Sequence, residues 1–280
     1  MPFTLLNVGY NLENVFEKNN VFNQFSCSSV KFSWNCCMAH FLYISLERII
    51  NDNIESMIWI IFIGFALLSW LVSMQLKSRF DKYSKIPTAN GMTGRDVVEK
   101  MLRDNGIQGV KIGCVSGQLT DHYNPTNKTI NLSQEVYYGA NVAAAAVAAH
   151  ETGHALQHAQ AYSMLQLRSS LVPIVSFASH WVQWILLAGI LLVNSFPQLL
   201  LIGICLFAMT TLFSFVTLPV EINASQQALV WLRNSGITTY ESQEKAADAL
   251  KWAAYTYVIA ALSSLATLIY YIMIYMGRRE

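Results

Sequence analysis

Four long apolar runs constrain this chain more than any other feature. They are Met57–Leu76, about Leu171–Val193, Leu199–Leu218 and Ala253–Met276, and none contains Asp, Glu, Lys or Arg. About 20 apolar residues cross the hydrocarbon layer as a helix. A chain of 280 residues is too short to hide four such runs in a water-soluble core. Only 12% of its residues are charged, about half the share of an ordinary soluble domain. That excludes a disordered chain and a nucleic-acid binder with a basic face. It predicts a multi-pass protein of the lipid bilayer that keeps an aqueous part. The five cysteines (Cys27, Cys36, Cys37, Cys114, Cys205) are odd in number and lack C-x-x-C spacing. Neither a disulfide framework nor a thiolate metal site is expected.

Four spans divide the rest of the chain between two faces. Segment 77–170 follows the first span. Segment 219–252 follows the third and returns to the same side, so one site can draw on both. Segment 77–170 holds ten Lys or Arg and 219–252 holds three. Lys77, Arg79, Lys82 and Lys85 sit just beyond the first span, and Glu47, Asp52 and Glu55 crowd its other end. By the positive-inside rule this face is cytoplasmic; Arg278 and Arg279 pull the other way. Residues 1–56 contain nine asparagines and no clear period. They read as a poorly structured extension with no cleavable signal pattern, ahead of a chain whose own start is Met57.

The aqueous part reads as a small α+β unit. Thr93 and Asp96 open a helix with Val97, Val98, Met101 and Leu102 on one face, and Gly106 closes it. Val110–Val115 and Lys128–Leu132 read as short strands. From Gly139 an alanine-rich run of high helix propensity ends in His150-Glu151-Thr152-Gly153-His154. Histidines four apart share a helix face and can hold one Zn²⁺ through imidazole nitrogen. Glu151 stands beside the metal, where a carboxylate takes a proton from metal-activated water. Composition alone yields this motif in roughly one such chain in two hundred.

A catalytic zinc takes a third protein ligand and keeps one open position. Gln157 and Gln160 exclude the longer three-histidine pattern. His158 is one turn beyond His154, and three ligands along one straight helix do not converge, so it reads as a rim residue. His180 lies within the second span and reads either as reaching the site or, more commonly, as a bundle contact. Glu221 lies on the correct side. Pro219 suits a first helical turn, which places Glu221 at the start of a new helix running to Asn234-Ser235-Gly236. Glu241, Glu244 and Asp248 read as a solvated charged face.

Together the stretches 80–87 (FDKYSKIP), 91–94 (GMTG), 119–125 (LTDHYNP), 136–139 (VYYG), 148–158 (AAHETGHALQH), 167–173 (LRSSLVP) and 216–225 (VTLPVEINAS) resemble the YugP family of bacterial membrane zinc metallopeptidases. The resemblance covers the chain from Met57 onward and is more distantly similar to HtpX-like membrane peptidases. It implies His150, His154 and Glu221 as zinc ligands in a gluzincin-like set and Glu151 as catalytic base, in a bacterial plasma membrane. The HtpX-like pattern has an Asp shortly after the ligand Glu; Asn223 and Ser225 stand there instead.

The expected protein is mainly α: four transmembrane helices with a small α+β zinc-peptidase part carrying H-E-x-x-H on a helix. Its parts are the extension 1–56, spans 57–76, 171–193, 199–218 and 253–276, the catalytic segment 77–170 and the helical segment 219–252. It cleaves a peptide or membrane-protein substrate. Lys128–Leu132 is expected as an edge strand that pairs with substrate, and His122 or Tyr123 as a donor to the oxyanion. Two rivals differ in testable ways. A site-2-type intramembrane protease would bury 139–159 in lipid, and a non-catalytic scaffold would surround a structural zinc with four protein ligands.

Overall fold

The computed structural model describes residues 59–277, all within one compact unit, Ser56–Glu280. The expectations for 1–56 and for Arg278 and Arg279 lie outside the described residues. The first apolar run forms α1, Trp59–Tyr83. The aqueous part follows as α2 (Gly94–Asp104), β1 (Lys111–Val115), β2 (His122–Asn124), β3 (Thr129–Ser133), a single helical turn α3 (Gln134–Tyr137) and α4 (Val142–Ala159). Three long helices complete the chain: α5 (Ser163–Leu191), α6 (Pro197–Asn234) and α7 (Tyr240–Met276). With α1 they make four helices long and apolar enough to cross a membrane.

Local chemistry explains the element ends. Thr93 accepts from the Asp96 amide while the Asp96 carboxylate accepts from Thr93, a complete capping box on α2. Val97, Val98, Met101 and Leu102 are all buried. They form one core with Ile130 and Leu132 of β3, six alanines of α4, and Ala228 and Leu232 of α6. Alanine suits α4 because α2, α6 and α7 all pack against it, and small side chains let the helices approach closely.

The sheet runs β1-β3-β2. β3 pairs parallel with β1 (Ile112 opposite Ile130) and antiparallel with β2 (Tyr123 opposite Ile130). The strand expected at the edge is therefore the central one. Lys128 takes a left-handed backbone, φ 50°, so it closes the β2–β3 turn and the strand begins at Thr129. β2, too short to show alternation, is an edge strand.

Pro219 does not open a helix; it lies inside the continuous 38-residue α6. A proline interior to a helix removes one backbone hydrogen bond, and long membrane helices tolerate it. α6 thus joins the third apolar run to the segment holding Glu221 without a break. Asp248 also departs from expectation. It accepts from Arg79 and from Tyr83 (2.6 Å) of α1, and Arg79 stacks over the Trp252 ring at 5.2 Å. This cluster fastens the end of α1 to α7.

α5 and α6 pack at their turn through Gly189. A Cβ added there would lie 2.7 Å from the Leu200 Cα, a backbone atom that cannot step aside. Gly189→Val is expected to cost about 1–3 kcal/mol through overpacking. A lower melting temperature in detergent would check it, with Ala66→Val on the exposed face of α1 as the neutral comparison.

Candidate metal centre

α4 carries His150 and His154 one turn apart, and α6 brings Glu221 to them. The Glu221 Oε2 atom lies 3.3 Å from His150 Nε2 and 3.5 Å from His154 Nε2. The three ligand atoms lie within 4.8 Å of one another. This approach depends on Gly153. A Cβ at that position would sit 2.7 Å from the Ala224 carbonyl oxygen, one turn beyond Glu221. Only a residue without a side chain lets the two backbones come so near.

The imidazoles are oriented from behind. Gln157 donates through Nε2 to the Val220 carbonyl at 2.8 Å and to Asn223 Oδ1 at 2.9 Å. Its Oε1 therefore accepts from His154 Nδ1 at 3.0 Å. His150 Nδ1 lies 3.1 Å from the Ser225 hydroxyl. With Nδ1 of each ring engaged from behind, the Nε2 atoms are the ones turned toward Glu221 and available to a metal. Gln157 and Ser225 were not singled out by sequence reasoning as positioning residues.

The donor set fits zinc. Two imidazole nitrogens and one carboxylate oxygen are the usual ligands of a catalytic site. Glu221 is 3% exposed, and its Oε2 has no hydrogen-bond partner. A buried carboxylate oxygen left this way is costly, and a cation among the three ligands relieves the cost. Arg168 of α5 lies 3.4 Å from the other oxygen, Oε1. Burial disfavours the charged form of His154. The Glu221 contact and the charges of Glu151 and Glu221 outweigh that, and its pKa is raised above the ordinary value. The same field favours a cation.

A cavity of about 380 Å³ opens above these residues, lined among others by Asp121, His122, Tyr123, Glu151, Arg168 and Tyr257. Glu151 is buried at its floor. β2 supplies His122 and Tyr123. His122 is engaged at both ring nitrogens, with the Thr120 carbonyl (2.8 Å) and the Asn131 amide (3.1 Å). The Tyr123 hydroxyl bonds His158 Nδ1 at 2.8 Å, so His158 braces β2 from outside the residues that line this cavity. His180 is exposed and bonds its own helix at Ser176; it is not among the cavity residues. Arg168 and Tyr257 were not found by sequence reasoning, because each is a single polar side chain at the edge of an apolar run.

A family model described as "Putative neutral zinc metallopeptidase" matches residues 58–276. The chain belongs to this zinc metallopeptidase family. It is also similar to the "Putative membrane protease YugP" of Bacillus subtilis (strain 168), 40% identical over 213 residues, which cover 76% of this chain and 94% of the relative. No solved structure gives a significant match. Zinc is the cofactor that both the family and the grouped ligands indicate.

In an open helix, Gly→Ala gains about 0.5–1 kcal/mol. Gly153→Ala is expected to do the opposite in this metallopeptidase. It should lower the melting temperature of the metal-free protein and weaken zinc retention against a competing chelator. A variant that melts higher and holds zinc as before would show that α4 and α6 do not need this contact.

Proposed function

We propose that the chain is a membrane-bound zinc endopeptidase with His150, His154 and Glu221 as zinc ligands and Glu151 as general base. The convergence of the three ligand atoms at the floor of an open cavity carries the reading. Among the described residues three protein ligands gather there, and a catalytic zinc uses three protein ligands where a structural one uses four. When bound, zinc supplies Lewis acidity and makes water a nucleophile near neutral pH.

The protein side chains do the rest. Glu151 accepts a proton from the attacking water and passes it to the leaving nitrogen as the C–N bond breaks. Gln157 and Ser225 keep the two imidazoles from rotating. The substrate lies extended along β2, whose outer edge has no partner strand among the described residues; backbone hydrogen bonds there align the peptide. His122 and Tyr123 present that strand to the cavity. Either could serve as an oxyanion donor only by leaving its present partner. α4 packs against α2, α6, α7 and the sheet and is not among the four helices apolar enough to cross a membrane, which favours chemistry at the membrane surface over chemistry within the lipid. The name of the Bacillus relative supports a peptide substrate. Lys77, Lys82 and Lys85, which follow the first apolar run, support a cytoplasmic catalytic face in a bacterial plasma membrane.

Glu151→Gln is expected to retain zinc and to lose about 10²–10⁴-fold of casein-hydrolysing activity. Glu221→Ala is expected to lose zinc as well. Phenanthroline should abolish wild-type activity and added zinc should restore it. An active Glu151→Gln protein would remove Glu151 from the mechanism.

Sidedness has its own check. Cys114 on β1 is exposed. In a chain whose other cysteines are replaced by serine, a membrane-impermeant maleimide should label Cys114 in inverted vesicles and not in intact cells. The reverse pattern would place the catalytic part outside.

A further inference from the structure

A carboxylate can meet a metal through one oxygen or through both. A catalytic zinc with three protein ligands keeps a fourth position open, and a second carboxylate oxygen would crowd that position. The two oxygens of Glu221 stand in different surroundings. Oε2 lies 3.3 Å from His150 Nε2 and 3.5 Å from His154 Nε2 and has no hydrogen-bond partner. Oε1 lies 3.4 Å from Nη1 of Arg168, which comes from α5 and lines the cavity. The Tyr257 hydroxyl also acts on this carboxylate, but it brings no charge to oppose that of Glu221. The guanidinium does, because it stays protonated at any working pH.

We propose that Arg168 is a positioning residue that makes Glu221 a one-oxygen ligand. The inference rests on the zinc-peptidase reading above. Arg168 draws Oε1 toward α5, so the carboxylate presents Oε2 alone to the side where the two Nε2 atoms lie. The fourth position is thereby left to water and substrate. Its positive charge also offsets part of the Glu221 charge. A buried carboxylate without that partner is uncompensated and would hold a cation more tightly, through both oxygens. The bound ion would then be a weaker Lewis acid. Arg168 thus lowers metal affinity and raises reactivity, acting through Glu221 alone.

The test loads the full-length protein in detergent with Co²⁺ in place of zinc. The visible absorption of Co²⁺ is intense in a four-coordinate site and falls severalfold when coordination expands. Arg168→Gln, which removes the charge and shortens the side chain, is expected to lose most of that intensity. It should hold zinc at least as tightly as the wild type against a competing chelator, while kcat for casein falls about 10–100-fold and KM changes little. Arg168→Lys keeps the charge and should keep the wild-type spectrum. An unchanged spectrum in Arg168→Gln would overturn the proposal, and so would weaker zinc binding. Equal loss of intensity in both variants would also overturn it, because that marks a packing role. Should Arg168→Gln fail to fold, the spectrum of Arg168→Lys decides alone, and its loss there counts against the proposal. A wild-type protein that takes up neither ion, or a fully active Glu151→Gln variant, would instead overturn the zinc-peptidase reading beneath it.

Discussion

The backbones of α4 and α6 meet at Gly153 and Ala224, and the metal site exists only because they do. His150 and His154 are fixed by the pitch of one helix, but the third ligand atom comes from another helix 67 residues later. Its distance to the histidines is set by how closely the two helices pack. A Cβ at Gly153 would fall within 2.7 Å of the Ala224 carbonyl. The alanines of α4 extend this contact, since side chains without χ angles fill the space between close helices at no rotamer cost. The composition of α4 is thus a packing requirement of the site.

Close packing creates an electrostatic problem that the metal solves. Glu221 is buried with one oxygen unpartnered, and a buried charge is costly unless paired. Arg168 at 3.4 Å compensates one oxygen, and the other, Oε2, has no hydrogen-bond partner and is left for a cation to compensate. Zinc does so, and because it binds the folded arrangement its binding free energy adds to stability. The hydrogen bonds behind the histidines hold their Nε2 atoms toward the same point. The metal-free fold is therefore already shaped to receive a cation and is less stable without one.

Much of this was legible in the chain. The apolar runs give the four long helices, the Thr93 capping box gives α2 and its buried face, and the His150–His154 spacing gives the ligand pair. What escaped has physical causes. Pro219 fits a first turn and a helix interior equally well, and only the packing of α6 decides between them. The apolar pattern of β3 shows that it is buried but not how many neighbours it has, so a central strand passed for an edge. Asp248 looks like one more surface acid until α1 brings Arg79 and Tyr83 to it. Gln157, Ser225, Arg168 and Tyr257 are single polar residues without a spacing signal, and their roles arise from contacts between helices far apart in sequence.

Those contacts also explain why the aqueous and membrane parts form one unit. The histidines and Glu151 stand on α4, which packs against α2 and the sheet on one side and against α6 and α7 on the other. Glu221, Arg168 and Tyr257 stand on α6, α5 and α7, which continue into the apolar runs. A cavity walled from both sides lies at the boundary between them. Its apolar residues Leu165 and Val172 belong to a helix with exposed Leu167, Ile174 and Phe177 on its surface. Neither part alone assembles the ligands or the cavity, so the membrane helices serve as catalytic scaffold as well as anchor.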